Sequence, residues 1–264
     1  MTTVGVGQRV SCRVLGPMEL EVDGEPVPLG SRQVRRLLAA LVLADNRPVA
    51  DGDLAELLWP GSEDALRALR VRVWRLRTAL GAAGECLERT PSGYRLALSA
   101  EVTDHHRFAD LVASGLHRLA MRDAAGAIDD LEAALGLWRG EPWPDLAGSA
   151  LAVGVRSRLR ELHEQAREEV EAGRLAVGEA WVAVRSLTQL VADSPYRERR
   201  WELLAQAYLL AGQPERAAAE LRRFRTLLAD QLGLDPGPAL VALERRLAAP
   251  AKPPRPVPAV WRWR

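Results

Sequence analysis

The sequence predicts a mainly α-helical fold with a small β part confined to its first hundred residues. Three observations carry this. From Asp104 onward, apolar residues recur at three- and four-residue steps almost to the end of the chain, the period of one helix face. Before that point, short apolar runs flank two turn signals, Asp23-Gly24 and Thr90-Pro91-Ser92-Gly93. Between those turns lies Glu63–Leu80, EDALRALRVRVWRLRTAL, a helical stretch that carries Arg67, Arg70, Arg72, Arg75 and Arg77 and has no acid after Asp64.

Taken in order, Arg9–Leu15 and Met18–Val22 read as strands broken by Gly16-Pro17, and Glu25–Leu29 returns after the Asp23-Gly24 turn. Ser31 is placed to cap a helix whose buried face is Val34, Leu37, Leu38, Leu41 and Val42. Asn46-Arg47-Pro48 ends it. Asp51 or Asp53 caps a short second helix with Leu54, Leu57, Leu58 and Trp59, and Pro60-Gly61 breaks the chain before the Arg-rich helix. On that third helix Leu66, Leu69, Val73, Leu76 and Leu80 form the apolar face. At about 100° per residue, the opposite face holds Arg67, Val71, Trp74, Arg75 and Thr78, flanked by Arg70, Arg72 and Arg77. Cys86–Arg89 and Tyr94–Leu98 then make a hairpin, with Tyr94 in the core. A small sheet, three helices with a short break between the second and third, and a terminal hairpin constitute a helix-turn-helix variant followed by a wing.

After a short polar boundary at Ser99–Thr103 the chain is helical. Asp104 or Thr103 caps a helix with Phe108, Leu111, Val112 and Leu119 inward. Ala124–Trp138 follows with Ile128, Leu131 and Leu135, then the loop Gly140–Asp145. A long helix is expected from Leu151 to Ala172 and another from Leu175 to Val191. Tyr196–Ala211 and Glu215–Gln231, joined at Gly212 and Pro214, have tetratricopeptide-like spacing, in which small residues let two helices approach and large ones fill the groove to the next pair. A last helix runs through Leu247. The tail from Pro250, with Trp261 and Trp263 alternating with Arg262 and Arg264, is Pro-rich and expected to be extended or disordered.

The 264 residues suit one large or two ordinary domains, and 48% hydrophobic with 27% charged residues excludes a disordered chain. The net charge of +1 means that any nucleic-acid surface must be a local patch. Two cysteines, Cys12 and Cys86, without a CxxC pair suit a reduced compartment with two incidental thiols, a disulfide between them being the less favoured reading. MTTVGVGQRV contains no apolar run of signal-peptide length and no stretch is long enough to span a membrane, so a cytoplasmic, membrane-free protein is expected. An apolar Val71 and Trp74 among arginines suits a helix entering a DNA major groove, where Arg forks onto guanine and Val meets a thymine methyl. The competing explanation is a solvated face from an Arg-favouring genome, since Lys252 is the only lysine. The position of this helix as the third of a helix-turn-helix unit favours DNA.

Four segments carry a resemblance here: RVLGPMEL with the following DG turn, LGSRQVRRLLAALVL, ALRVRVWRLRTALG and RTPSGYRL. On these, residues 9–100 resemble the OmpR/PhoB-type winged helix, most closely its form in the Streptomyces antibiotic regulatory proteins (the SARP, or AfsR/DnrI/RedD, family). The resemblance implies that Arg67, Val71, Arg72, Trp74, Arg75 and Arg77 face DNA. It assigns base contact to Val71 and Arg75, and to Arg67 beside them. Phosphate contact goes to Arg72 and Arg77, and wing contact to Thr90, Ser92 and Gly93 with Arg95 nearby. Trp74 stands where a small or basic residue is expected, and Arg72 where His is common, which bears on target sequence rather than on binding itself. Residues 104–248 resemble the bacterial transcriptional activator domain through Asp104…Phe108, LWRG, RLREL and GLDPGPAL. Together the likenesses imply a pathway-specific transcriptional activator for antibiotic or other secondary-metabolite genes. It would bind promoter direct repeats as two side-by-side protomers and recruit RNA polymerase through its sigma factor. A protein-interaction adaptor and a repressor of the same fold are the rival readings.

No enzyme chemistry is legible. The sequence lacks G-x-S-x-G, GxGxxG and G-x-x-x-x-G-K-[ST], so no nucleotide-binding segment and no cofactor are expected, nor is a receiver domain. His105-His106 beside Asp104 is better read as an interdomain surface than as a metal site, because adjacent helical residues point in different directions and no Cys or third His lies at ligand spacing. Trp138 and Trp143 read as core anchors.

Overall fold

A computed structural model describes residues 10–98 and 102–248. The expected tail from Pro250 and the polar boundary at Ser99–Glu101 lie outside the described residues. The fold is mainly helical with a small sheet part, and it divides into two compact units at Val170 and Glu171.

The first unit opens with β1 (Val10–Arg13), β2 (Glu19–Val22) and β3 (Glu25–Pro26), an antiparallel sheet in which Cys12 faces Leu20 and Val22 faces Glu25. Asp23 and Gly24 both take positive φ in the turn, as hairpin geometry demands. β3 is shorter than the expected Glu25–Leu29 because Pro26 and Pro28 lack the N–H that a ladder needs. Three helices follow, α1 (Arg32–Leu43), α2 (Asp51–Leu58) and α3 (Ala65–Leu80), and then the hairpin of β4 (Leu87–Thr90) and β5 (Gly93–Leu96). Val34, Leu37, Leu38, Leu41 and Val42 are buried along α1 as expected. The caps differ from expectation. Ser31 occupies the N-cap position of α1 without a side-chain capping bond, and its hydroxyl is buried without a partner. The N-cap of α2 is Ala50, because Asp51 sits in the first turn and pairs with Arg89 instead.

Beyond residue 102, α4 (Asp104–Ala120) packs antiparallel on α5 (Ala124–Gly136), with Phe108, Val112, Ala127, Leu131 and Ala134 fully buried between them. Asp123 caps α5 by accepting from the Gly126 amide at 3.0 Å. A loop with a 3₁₀ turn at Pro144–Leu146 leads into α6 (Ala150–Ala176). Trp143 is 1% exposed and takes left-handed backbone angles, so it is the core anchor expected of it. Trp138 packs against Phe108 and stacks on His163.

The sheet and the helices of this unit are sewn together at one point. The buried carboxylate of Asp104 accepts from the amides of Val14 at 2.7 Å and Leu15 at 3.1 Å. The Trp143 amide donates to the Val14 carbonyl at 2.8 Å, and the Arg139 amide to that of Leu15 at 2.7 Å. Thr103, the N-cap of α4, makes a parallel bridge with Cys12. Arg35 of α1 pairs with Asp145 of the loop at 3.1 Å. Burial pushes the Asp104 carboxyl above its ordinary range, and the two amides and Arg139 pull it back.

The second unit holds α7 (Ala180–Asp193), α8 (Glu198–Leu210), α9 (Pro214–Leu232) and α10 (Pro238–Ala248). Sequence reading starts α7 at Leu175, but the break falls later, at Gly178, whose φ of +87° ends the preceding helix. Ala205, Ala207 and Ala217 are fully buried where α8 and α9 meet, and Trp201 stacks on Phe224 at 5.2 Å. Arg200 is wholly buried and donates to the Leu190 carbonyl at 2.7 Å.

Cys12 and Cys86 are separate buried thiols, pushed by burial up to about 12 and about 11 respectively. Among the described residues no helix is long and apolar enough to cross a membrane.

Asp104→Ala should strand two buried amides and lower the unfolding free energy by about 2–3 kcal/mol, read by urea denaturation; an unchanged midpoint would refute the latch. His105 supplies a pH test. Its ring meets His106 at 4.1 Å and Trp143 at 4.8 Å, and burial, helped by His106, lowers its pKa to about 3. Because the unfolded chain takes up this proton near pH 6.5 and the folded chain does not, stability falls as pH drops below that value, by at most about 1.4 kcal/mol per unit. His105→Phe should flatten that slope between pH 7 and 5, where few carboxylates titrate; an unaltered slope would contradict the assignment.

Candidate nucleic-acid interface

Four inward residues of α3, Leu69, Val73, Leu76 and Leu80, seat it in the core, together with Ala65. Leu66 departs from expectation: it is 50% exposed. It lies about 100° from Ala65 around the helix axis, at the edge of the apolar stripe, and Ala65 fills the inward place of that turn.

The opposite face is open. Arg67, Arg70, Val71, Trp74, Arg75 and Thr78 are exposed, Trp74 by 64% and Val71 by 44%. Arg67, Arg70 and Arg75 have no carboxylate partner among the described residues. By contrast Arg13 pairs with Glu19 and Glu21, Arg35 with Asp145, Arg89 with Asp51 and Arg95 with Glu88. Like charges three residues apart on a helix, as at Arg67 and Arg70, cost about 0.2–0.5 kcal/mol per pair, a cost that an anionic partner would relieve. Thr78 turns its hydroxyl onto its own helix, donating to the Trp74 carbonyl at 3.0 Å.

The two remaining arginines of α3 are half-buried. Arg72 lies over the Trp59 ring at 6.0 Å, and its Nε is buried without a hydrogen-bond partner. Arg77 donates from Nε and Nη2 to the Leu87 carbonyl, at 3.1 and 2.7 Å. It therefore braces α3 against β4, and Nη1 is its nitrogen without a partner among the described residues. The resemblance assigns Arg77 to a phosphate; two of its nitrogens are taken by the Leu87 carbonyl, which leaves Nη1 for any further acceptor.

The hairpin is fixed from behind. Val49, in the α1–α2 connection, exchanges two backbone hydrogen bonds with Tyr94, at 2.8 and 3.0 Å. Gly93 lies under this bridge with φ +144°, and a Cβ there would come within 1.9 Å of the Val49 carbonyl oxygen. Gly93 is thus buried against the protein, while Pro91 and Ser92 are exposed at the tip. Thr90 donates to the Gly93 carbonyl at 3.1 Å and shapes the turn. Arg95 pairs with Glu88 across the ladder. Arg89, which sequence reasoning did not single out, is exposed over the Tyr94 ring at 4.6 Å and bonded to Asp51. Tyr94 is buried, as expected. No group of three or more His, Cys, Asp or Glu that could hold a metal occurs among the described residues.

Comparison with known proteins places this architecture. Residues 103–248 match the family described as the bacterial transcriptional activator domain. The transcriptional regulatory protein EmbR of Mycobacterium tuberculosis is 36% identical over 252 residues, which is 92% of this chain and 64% of EmbR. The transcriptional regulator RedD of Streptomyces coelicolor is 31% identical over 242 residues, 89% of this chain and 69% of RedD. A solved structure, Mycobacterium tuberculosis EmbR in complex with a low-affinity phosphopeptide, superposes with a TM-score of 0.85 at 35% identity, covering 92% of this chain and 65% of that one. The chain thus spans about 64% of the length of the EmbR it matches. It belongs to the bacterial transcriptional activator domain family and, with these relatives, to the SARP family of transcriptional regulators. Its relatives are regulators rather than enzymes.

Gly93→Ala should lower the unfolding free energy by more than about 1 kcal/mol, because the hairpin must leave Val49; calorimetry on the purified variant checks this, and an unchanged melting temperature would contradict it.

Proposed function

We propose that this regulator is a sequence-specific DNA-binding transcriptional activator whose residues 9–100 form a winged helix-turn-helix. In this reading α2 and α3 are the helix-turn-helix pair, α3 enters the major groove, and the β4–β5 hairpin is the wing. The observation that carries it is the exposed face of α3, with three unneutralised arginines around an apolar centre. Arg75 and Val71 reach base edges, with Arg67 beside them, and Arg72 and Arg70 serve phosphates. Arg77 acts mainly by holding α3 to the wing, and Thr90 and Ser92 bring the tip to the backbone of the duplex.

Residues 104–248 are the partner-binding half, a helical-repeat domain that contacts RNA polymerase, including its sigma factor. About 1.4 kcal/mol of such contact raises polymerase occupancy tenfold. Two protomers lie side by side on direct repeats at promoters, and the target genes serve antibiotic or other secondary metabolism, as the RedD and AfsR likenesses suggest. The adaptor reading is disfavoured because a docking module gains nothing from arginines left without acids, and the name of the matched family favours activation over repression.

Selection from a random double-stranded DNA library at physiological salt should enrich a short direct repeat. Arg75→Ala should then cost about 1–3 kcal/mol in affinity for that site and relax one base position. Enrichment of nothing would refute DNA reading, and a variant with full affinity and specificity would refute the role of Arg75.

A further inference from the structure

We propose that Trp74 reads thymine, its indole packing on the 5-methyl groups of a thymine-containing step in the major groove. This rests on the DNA-binding reading above and names what the centre of its interface recognises. Trp74 is 64% exposed, and Val71, three residues earlier and hence on the same face, is 44% exposed. Four tryptophans of the described chain have ring or cation partners: Trp59 lies under Arg72, Trp138 packs on Phe108 and His163, Trp143 on His105, and Trp201 on Phe224, while Trp181 on α7 is exposed by 49% and lies outside the arginine-rich face. Trp74 has none among the described residues, although a tryptophan is among the largest apolar surfaces a chain can bury.

The neighbours of Trp74 select the occupant. Arg67, Arg70 and Arg75 surround it without carboxylates, which draws an anionic surface rather than a second copy of the same face. The Thr78 hydroxyl is engaged with the Trp74 carbonyl at 3.0 Å, so the middle of the face offers apolar surface and not a hydroxyl donor. Among the four bases, thymine alone presents a methyl group in the major groove, and the others present polar edges there. An apolar centre flanked by guanidinium groups therefore matches thymine flanked by guanine or phosphate.

The test uses the full chain and the site enriched from the random library. Each thymine is replaced in turn by deoxyuridine, which removes the methyl and keeps the hydrogen-bonding edge. Wild-type protein should lose roughly fourfold affinity per contacted methyl, the worth of one buried carbon, at one or two adjacent thymines. Trp74→Ala should bind the thymine and deoxyuridine duplexes equally while keeping its preference at every other position, and Trp74→Phe should recover part of the difference. Because the side chain is exposed, the melting temperature should not move. Equal deoxyuridine losses in wild type and Trp74→Ala, or loss of the effect in Val71→Ala instead, would overturn the inference and leave DNA binding standing. So would a dimer dissolved by Trp74→Ala with base preference intact. No enriched site would overturn the DNA-binding reading and this inference together.

Discussion

The Asp104 carboxylate holds the first unit together. Strand β1 ends at Arg13, and the next two amides, of Val14 and Leu15, are wholly buried. Backbone donors in that position need acceptors, since an unsatisfied one costs about 1–3 kcal/mol. One side chain at the start of α4 supplies both. The matching carbonyls are taken by the amides of Trp143 and Arg139, so the chain past β1 is clamped between α4 and the loop after α5. The sheet, α1 and the helical pair thereby share one core, and α3 is seated on that core through Leu69, Val73 and Leu76. The exposed face of α3 is thus held on a scaffold that includes helices from beyond residue 103.

That scaffold explains a division of labour among the arginines. Those that join elements have partners within the fold: Arg35 pairs with Asp145, Arg77 with the Leu87 carbonyl, Arg89 with Asp51 and Arg139 with Glu19. Those on the outer face of α3 are left without acids, although 35 Asp and Glu are available in the chain to balance 36 Lys and Arg. The net charge of +1 therefore hides a local positive face on α3, and it is the local field, not the net charge, that an anionic partner would meet.

Much of this was legible in the sequence, because helices and turns are written in local periodicity. The apolar rows of α1 and α3, the two hairpin turns and the pairing of α8 with α9 follow from spacing and turn chemistry alone. What was not legible depends on contacts distant in sequence. Asp104 reads as a helix cap, and only the fold shows it reaching back ninety residues to Val14. Arg77 reads as an outward cation until β4 brings the Leu87 carbonyl to it, and Gly93 reads as a wing tip until Val49 is found against it. Leu66 continues the leucine spacing but sits in the first turn, where the small Ala65 takes the inward position. Arg200 is invisible as a buried residue, because nothing local signals that α7 will offer the Leu190 carbonyl.

If the open arginines of α3 meet DNA and Arg77 chiefly braces the wing, the two kinds of guanidinium differ in chemical accessibility. Modification by an arginine-selective dicarbonyl such as phenylglyoxal, with and without the selected duplex and read by mass spectrometry, addresses those side chains directly. Arg67, Arg70 and Arg75 should react in the free protein and be shielded in the complex, and Arg77 should react poorly in both. Arg67, Arg70 and Arg75 reacting as fast in the complex as in the free protein would contradict it.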